Sequence, residues 1–374
     1  MKKVAFIITA LTTGGAENML LKVLERIDRT RFDPVVISLR DKGQIGPKIE
    51  ALGIAVYSMG MRPALPNPLA FVSLVSLIKK LRPDAVHTWM YHADLFGGLA
   101  ARIAGVRAVG WSIHHSDISL RHNKLTTLLV VKLCAFLSGS VPSLILSCSE
   151  VARQVHVAAG YSKRKIRVIP NGFDLSLFMP DVLARASVRD ELNIPLEAPM
   201  IGLIARWNQQ KNHLGFIQAA ALVNSSLPSV HFILAGTDVD SSNSTLTNAI
   251  KSSGLEGRIH LLGRRDDVPR LMASLDVLAS SSFGEAFPNI LGEAMACGVL
   301  CAVTAAGDSA EIVADTGRVV AIGDMQGLAE AMIELLKMPS VSKKEAIQTA
   351  RERVVEHYEI SQVARQYEAF IEDL

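Results

Sequence analysis

The chain has few aromatic residues and few cysteines: Phe, Trp and Tyr make up 5% of its 374 residues, and cysteine occurs four times. So few aromatic rings argue against a surface that binds nucleic acid by stacking on bases. The cysteines show neither metal-binding spacing nor a convincing pairing, which predicts free thiols in a reducing compartment. We therefore expect a cytoplasmic protein without a disulfide framework.

Long hydrophobic runs are also missing, and no window has the length that a transmembrane helix requires. The nearest candidate, residues 125–147, is interrupted by Lys132 and broken by Gly139 and Pro142. Three side chains precede it: Arg121, His122 and Lys124. Two interpretations remain open, an apolar helix that lies on a membrane surface and an ordinary core helix.

The net charge of +3 hides an uneven distribution. Residues 1–175 contain 23 Lys and Arg against 11 Asp and Glu, a balance of +12, whereas residues 176–374 contain 16 against 25, a balance of −9. Charge concentrated in one half indicates a partner that contacts that half alone. An anionic membrane surface or a phosphorylated acceptor fits this description, and mutual attraction of the two halves is the alternative.

Short β-branched runs alternate with longer amphipathic stretches, which is typical of parallel α/β layers. Seven strands are predicted in the first half, at residues 4–9, 34–39, 54–59, 84–89, 107–112, 144–149 and 166–170. Six are predicted in the second half, at residues 200–206, 230–236, 258–263, 276–281, 299–304 and 318–322. We expect an α/β protein of two doubly wound Rossmann-like domains, residues 1–175 and 176–358, whose strand ends face a cleft. Pro180 and the helix-like stretch 181–194 mark the linker.

Two carboxylates, Glu285 and Glu293, lie eight residues apart around a predicted strand-to-helix turn. Glu285 follows the predicted strand 276–281. Pro288 suits the first helical position, and the helix Asn289–Ala296 leads to Gly298, which suits its end. The free N–H groups of the first helical turn favour an anion. Hydroxyl-binding carboxylates beside such a helix end are what a sugar nucleotide requires.

Two cations follow the first predicted strand of the second half, Arg206 and Lys211. A fixed guanidinium and a flexible ammonium form a suitable clamp for a diphosphate whose charge grows as it leaves. Solvated surface cations are the alternative. Asp238 and Asp240 form a D-x-D pattern of the kind that holds a metal–nucleotide, but no other carboxylates are near in sequence, so we interpret them as a solvated loop.

In the first half, Gly14 and Gly15 follow the first strand and precede a helix, without the G-x-G-x-x-G dinucleotide pattern. A purely structural turn is an equal alternative. Later strand ends are predicted to bring several titratable side chains to one rim of the sheet: His87, His92, Asp94, His114, His115 and Asp117. Their spacing does not fit a zinc site, and the chain has no G-x-S-x-G nucleophile motif.

Taken together, these segments resemble the retaining glycosyltransferases of family four, which have the GT-B fold. The matching segments occur in the expected order over nearly the whole chain, at Gly14-Gly15, 89–105, 111–117, 147–150, 168–174, 205–212, 232–238, 263–282 and 285–298. The carboxylate pair followed by Ala-Met-Ala-Cys-Gly is specific, whereas the Gly-Gly turn is not. The stretch 286–289, Ala-Phe-Pro-Asn, departs from the Gly-Phe-Gly of many relatives, which puts the donor-sugar pocket in question.

The resemblance implies a role for each matching residue. Arg206 and Lys211 hold the donor diphosphate, Glu293 binds the ribose hydroxyls and Glu285 contacts the donor sugar. The remaining donor-side positions are the backbone at Phe287, Asn289 and Ile290, the side chain of Arg264 beside the base, and Gly15. His114 matches the histidine near the reacting sugar, with His115 as the alternative. The acceptor-side candidates are Gly14, His92, Asp94 and His115.

The function that follows is retaining transfer of a sugar from a UDP-sugar to a glycan or lipid-linked acceptor in cell-surface polysaccharide synthesis. The resemblance implies catalysis by His114, Glu285, Arg206 and Lys211, with no metal and no cofactor beyond the nucleotide-sugar co-substrate. It also implies that a C-terminal helix, residues 361–374 within the segment 359–374, returns to the first domain. An anionic membrane at the inner face is a possible partner. A nucleotide-sugar epimerase and a non-catalytic sugar-binding protein remain alternatives.

Overall fold

The computed structural model describes residues 1–61, 68–119 and 123–374. Arg121 and His122 lie outside the described residues. Contacts divide the chain into an N-terminal unit, Met1–Gly172 with Ile360–Leu374, and a C-terminal unit, Phe173–Glu359. Within the described ranges, none of the helices combines the length and the apolarity needed to span a bilayer. All four cysteines are buried and free.

The N-terminal unit contains every strand predicted in the first half. They are β1 (Lys2–Ile8), β2 (Phe32–Ser38), β3 (Val56–Ser58), β4 (Ala85–Trp89), β5 (Ala108–Ile113), β6 (Leu144–Ser147) and β7 (Ile166–Val168). All pairings are parallel, in the order β3-β2-β1-β4-β5-β6-β7. The order reverses between β1 and β4, where Ile8 lies opposite Trp89. The loops after these two strands therefore leave the sheet side by side.

The helices of this unit alternate with its strands. They are α1 (Gly15–Arg26), α2 (Gly46–Ala51), α3 (Pro68–Leu81), α4 (Gly98–Ile103), α5 (Leu125–Leu137) and α6 (Glu150–Ala158), with a π-helical segment at Ala93–Gly97 and a 3₁₀ turn at Lys163–Lys165. Successive side chains of a strand point to opposite faces. Phe6 of β1 accordingly packs in the cluster that contains α1, while Ile7 packs in the cluster of α3, α4 and α5. Burial on both faces explains the nearly continuous apolar strands.

The C-terminal unit contains all six strands predicted in the second half. They are β8 (Met200–Ile204), β9 (His231–Ala235), β10 (Ile259–Leu261), β11 (Val277–Ser280), β12 (Leu300–Thr304) and β13 (Arg318–Val320), in the order β10-β9-β8-β11-β12-β13. Its helices are α7 (Val182–Glu191), α8 (His213–Ser226), α9 (Ser244–Ser252), α10 (Val268–Ala273), α11 (Asn289–Ala296), α12 (Ser309–Val313), α13 (Met325–Lys337) and α14 (Ser340–Tyr358), with 3₁₀ turns at Gln209–Lys211 and Ala314–Thr316. Each sheet is parallel and doubly wound, as predicted.

The last helix, α15 (Ile360–Glu372), is grouped with the N-terminal unit. Its apolar face, which includes Val363, Tyr367 and Phe370, is buried in the same cluster as Phe6 and the apolar face of α1. Lys2 Nζ donates to the carbonyl of Ile371 at 2.6 Å. The end of the chain thus completes one of the two helical layers of this unit.

The stretch predicted as a linker is instead an integrated part of the C-terminal unit. Helix α7 contains the buried Arg189. Its guanidinium donates to Asp276 Oδ2 at 2.9 Å and to the carbonyl of Ser274 at 2.6 Å. Arg185 of the same helix donates to Asp276 Oδ1 at 2.9 Å. A buried guanidinium requires such partners, and they attach α7 to the segment that enters β11.

Candidate functional site

The strand order of the C-terminal unit reverses between β8 and β11, where Ile201 lies opposite Val277. Ligands of doubly wound sheets bind beyond the carboxyl ends of the strands at such a reversal. Arg206 and Lys211 lie in the loop that follows β8, and Glu285 lies in the loop that follows β11. The topology therefore brings the predicted cations and the first predicted carboxylate to one place.

Lys211 and Glu285 are in direct contact. Lys211 Nζ forms an ion pair with Glu285 Oε1, and the same carboxylate oxygen accepts a hydrogen bond from Ser282 Oγ at 2.7 Å. The side chains are 26% and 12% exposed, respectively. Partial burial strengthens such a pair relative to one at the open surface. The positions of these two predicted functional groups are thus coupled.

Backbone contacts join the two loops that carry this pair. The N–H of Phe283 donates to the carbonyl of Gln210 at 2.7 Å. Ser281 Oγ lies 3.0 Å from the carbonyl oxygen of Lys211 and 2.9 Å from that of Asn212. Asn212 adopts a left-handed conformation and caps α8, since its side chain accepts from the N–H of Gly215. The ion pair therefore rests on a fixed backbone rather than on two independent loops.

Arg206 lines a cavity of about 210 Å³ beyond the ends of β8 and β9. Arg264 and Arg265 line the same cavity, together with Gly236 and Thr237. In the described part of the chain, the Arg206 guanidinium has neither a hydrogen bond nor an ion pair, so its charge is available to a ligand. Gly236 has φ +156°, and a Cβ there would lie 2.1 Å from the carbonyl oxygen of Ala205. Only glycine allows this close approach of the two strand ends.

The two neighbouring arginines of this cavity differ in their partners. Arg265 is held by Asp267 at 2.8 Å and by Glu191 at 2.7 Å, and its hydrogen bonds lower the pKa of the Asp267 carboxyl well below its usual range. Arg264 is 54% exposed and has a looser ion pair, 3.6 Å, with the exposed Asp266. Arg264 is thus held less tightly than Arg265, which connects this loop to Asp267 and Glu191.

Helix α11 begins at Asn289, and its bounds agree with the predicted helix. Pro288 is not the first helical residue, because it has ψ 92° and forms the extended N-cap one position earlier. Phe287 is 8% exposed, and its ring packs against Phe173 and Tyr358. The Phe287 ring therefore fixes this segment to the core. Any contact of Phe287 with a ligand would be made by its backbone rather than by its side chain. Glu293 is half-buried within the helix.

Two glycines that support the packing of the segment from Glu285 to α11 were not predicted from the sequence. Gly307 has φ +57°, and a Cβ there would lie 2.4 Å from the carbonyl oxygen of Glu285. The neighbouring Asp308 N–H donates to the carbonyl of Ala286 at 3.1 Å. The available signal was the Gly307-Asp308 pair, which begins three residues after the end of the predicted strand 299–304. The other is Gly292, which contacts the ring of Phe173 so closely that a Cβ would lie 2.0 Å from it.

In the N-terminal unit, Gly14 is the N-cap of α1 and Gly15 is its first residue. A Cβ at Gly14 would lie 2.4 Å from Glu17 Oε2. The buried Glu17 carboxylate accepts a hydrogen bond from Thr12 Oγ1 at 3.0 Å. A carboxylate of the chain itself therefore occupies the space beside the helix N-terminus, where it is favoured by the helix dipole. Gly15 remains exposed.

His114 directly follows β5, and its ring stacks on Trp89 with centroids 4.5 Å apart. Trp89 in turn stacks on Tyr367 at 5.7 Å. Both ring nitrogens of His114 are buried without a hydrogen-bond partner among the described residues. Burial lowers the pKa of His114 to about 3. The imidazole is therefore neutral at physiological pH, with polar atoms that no described protein group satisfies.

The predicted rim of titratable groups is only partly correct, because His87 lies inside β4. Its Nε2 is 2.6 Å from Ser112 Oγ, and burial lowers its pKa to about 3. His92 is half-buried, with its pKa lowered by burial. His115 is exposed, and its Nδ1 accepts from the N–H of Asp117 at 3.2 Å.

Asp94 is also interior rather than at the rim. It accepts hydrogen bonds from Thr88 Oγ1 at 2.6 Å and from the N–H of Ser112 at 3.3 Å. Burial raises the pKa of its carboxyl well above the ordinary value. With 0% exposure it has no surface that an acceptor can reach directly. The π-helical segment that carries it is thereby attached to β4 and β5.

The D-x-D pair shows no metal-binding arrangement. Asp240 accepts a hydrogen bond from the N–H of Ser242 at 2.9 Å and so stabilises a turn. Across residues 1–61, 68–119 and 123–374, no group of three or more His, Cys, Asp or Glu side chains is arranged to hold a metal ion.

Comparisons with known proteins match both units. Residues 13–177 match the family model described as Glycosyltransferase Family 4, and residues 198–338 match Glycosyl transferases group 1. The UDP-Gal:alpha-D-GlcNAc-diphosphoundecaprenol alpha-1,3-galactosyltransferase of Escherichia coli is 28% identical over 312 residues, which cover 81% of this chain and 79% of that relative.

Solved structures have the same fold. The Anabaena protein Alr3699/HepE in complex with UDP has a TM-score of 0.87 and 25% identity, with 100% of both chains covered. A glycosyltransferase from Rickettsia africae ESF-5 has a TM-score of 0.84 at 18% identity, with 100% of this chain and 98% of that chain covered. Fold and comparisons together define a glycosyltransferase of the GT-B class. The chain belongs to glycosyltransferase family four.

Proposed function

We propose that the protein transfers a sugar from a UDP-sugar to a glycan or lipid-linked acceptor in cell-surface polysaccharide synthesis, with retention at the anomeric carbon and without a metal ion. The observation that carries this proposal is the arrangement at the strand reversal of the C-terminal unit. There Arg206, whose guanidinium has no partner among the residues that the structure describes, and a Lys211–Glu285 ion pair lie beyond the same strand ends. Such a place suits a nucleotide diphosphate.

The choice of donor and acceptor is supported by the relatives. The Escherichia coli relative is named for UDP-Gal as donor and for a diphosphoundecaprenol-linked sugar as acceptor. The Anabaena structure was solved with UDP. We therefore assign a UDP-sugar donor and a lipid-linked acceptor to this chain. The balance of +12 in residues 1–175 supports an acceptor that carries phosphate.

Arg206 and Lys211 stabilise the negative charge that develops on the departing diphosphate. Each cation is more effective against the separating leaving group than against the intact donor, so it lowers the barrier rather than merely tightening binding. The N–H groups of Asn289 and Ile290 at the start of α11 also stabilise the negative charge on the departing diphosphate. Glu293 binds the ribose hydroxyls, and Arg264 flanks the base.

Glu285 is placed by Lys211 and Ser282 and accepts hydrogen bonds from the hydroxyls of the donor sugar. A leaving diphosphate oxygen takes the proton of the acceptor hydroxyl on the face from which it departs, which gives retention. His114 acts as a neutral hydrogen-bonding group, because its pKa of about 3 leaves it unprotonated at physiological pH. We assign Gly15 to the donor as well, near its phosphate or its reacting centre.

The test is a screen of UDP-, GDP- and ADP-sugars for slow hydrolysis and for transfer to a lipid-diphosphate-linked sugar. We expect one UDP-sugar to be consumed and NMR of the product to show the anomeric configuration of the donor. Activity is expected to persist in EDTA. Loss of activity in EDTA that Mg²⁺ or Mn²⁺ restores, or inversion at the anomeric carbon, contradicts the mechanism. Epimerisation of the donor without an acceptor contradicts the function.

A further inference from the structure

Helix α5 of the N-terminal unit exposes a stripe of large apolar side chains. Their exposed fractions are 75% for Leu125, 60% for Leu129, 42% for Leu133 and 85% for Phe136. The four positions recur every three or four residues, so they lie on one side of the helix. The opposite side is buried in the core of the unit through Val131, Cys134 and Ala135. The helix thus has two apolar faces, and only one of them is covered.

Two other helices of the same layer also expose apolar side chains. Helices α3, α4 and α5 bury their inner faces in the same core cluster, so they cover one side of the sheet. Val72 of α3 is 63% exposed and Ile103 of α4 is 58% exposed. Each lies two residues from an inward-facing residue of its own helix and therefore points away from the core. Several large apolar side chains exposed together on one helix face, as on α5, commonly mark an interaction site.

The charges on this surface are of one sign. Lys124 and Lys132 are exposed, and Lys132 lies within the stripe between Leu129 and Leu133. The sequence has no Asp or Glu from residue 118 to residue 149. Lysines can extend their charged ends past an apolar surface toward phosphate groups.

We propose that this face, the α5 face (Lys124, Leu125, Leu129, Lys132, Leu133 and Phe136), docks on an anionic lipid bilayer. The apolar side chains enter the boundary between headgroups and acyl chains, and the two lysines contact lipid phosphates. A second copy of the chain fits less well, since two such faces would bring like charges together without a carboxylate in residues 118–149 to pair them. The inference deepens the proposed function, because a lipid-linked acceptor is delivered at such a surface.

The experiment measures binding of the full chain to vesicles of phosphatidylcholine alone and of phosphatidylcholine with phosphatidylglycerol. We expect binding to the anionic vesicles that weakens as salt rises. The double variant Leu129→Ser, Phe136→Ser and the variant Lys132→Glu should each bind at least tenfold more weakly. Matched controls in the C-terminal unit are Val341→Ser, a 71% exposed side chain, and Lys251→Glu. Equal losses in the controls, or equal binding by all variants, would overturn the proposal.

Two further measurements separate this inference from the proposed function. All variants should keep the wild-type rate of donor hydrolysis without lipid, because none changes a residue of the donor site. A lower rate indicates misfolding, which circular dichroism checks. If the double variant misfolds, the vesicle binding of Lys132→Glu alone tests the proposal. An active enzyme that ignores anionic vesicles overturns the membrane inference only. Binding without any sugar transfer overturns the function only. Size exclusion in which the double variant changes from dimer to monomer, with vesicle binding intact, assigns the face to a second copy.

Discussion

Lys211 and Glu285 are 74 residues apart in sequence, yet Lys211 Nζ forms an ion pair with Glu285 Oε1. They lie in the loops that follow strands β8 and β11. These strands are neighbours because the strand order of the sheet reverses between them. In the proposed function, the ammonium group that is bound to this carboxylate also binds the donor diphosphate. Donor binding is therefore expected to exchange one partner of Lys211 for another rather than to recruit an unattached cation.

Arg206→Ala and Lys211→Ala are each expected to lower kcat at least tenfold, because one preorganised donor to a developing charge contributes about 10²–10³ in turnover. The measurement is steady-state transfer with the UDP-sugar found in the donor screen. Lys251→Ala, an exposed cation on α9, is the control and should retain the wild-type rate. Near-normal rates for both variants would count against the diphosphate assignment.

The ion pair itself predicts non-additive stabilities. In a double-mutant cycle of Lys211→Ala and Glu285→Gln, we expect a coupling free energy of about 1 kcal/mol, because the two groups contact each other and are partly buried. The measurement is the free energy of unfolding of the full chain in urea. The Arg318–Glu334 pair, with side chains 34% and 58% exposed, is the comparison and should give less. Equal coupling free energies in the two pairs would mean that the partial burial of Lys211 and Glu285 does not strengthen their ion pair.

Gly292→Ala should destabilise the protein by about 1–3 kcal/mol, since the added methyl group overlaps the ring of Phe173 and the core must shift. The melting temperature reports the change. Phe173→Leu in the same chain should reduce the cost of Gly292→Ala. Gly139→Ala is the matched control, because a Cβ there meets nothing within 4 Å. A loss at Gly139 as large as the one at Gly292 would refute the packing argument.

The His114 imidazole, whose two ring nitrogens are buried, predicts a pH dependence of stability. Its folded pKa of about 3 is below the unfolded value of about 6.5. Between these values the unfolded chain binds a proton that the folded chain does not, so stability falls as pH falls through this window, by up to about 1.4 kcal/mol per pH unit. His114→Phe removes that penalty and keeps the stacking on Trp89. The melting temperature of the variant should therefore rise relative to wild type from about pH 7 to about pH 4.5; a constant difference would contradict the assignment.

Much of the fold is predictable from the sequence because its signals are local. All thirteen strands lie where β-branched runs are bounded by Gly, Pro or polar residues. The bounds of α11 were likewise predictable, since Gly298 has φ +76° just past its end. The parallel, doubly wound arrangement follows from the alternation of strands and helices.

The candidate site was only half predictable. That Arg206, Lys211 and Glu285 follow strands is a property of the sequence, but their convergence requires β8 to lie beside β11. The sequence likewise could not separate Arg264 from Arg265, because partners such as Glu191 are distant in the chain. His87 and His114 look alike in sequence, yet one lies within a strand and hydrogen-bonds to Ser112, while the other lies just beyond a strand end.

By itself, the sequence determined which segments become strands and helices and which titratable residues follow them, since backbone preference and hydrophobic period act over a few residues. The tertiary structure alone decided which strand ends are neighbours, which cations are already paired, and that one apolar face of α5 remains uncovered. Those outcomes depend on contacts between residues far apart in the chain, and no local pattern contains them.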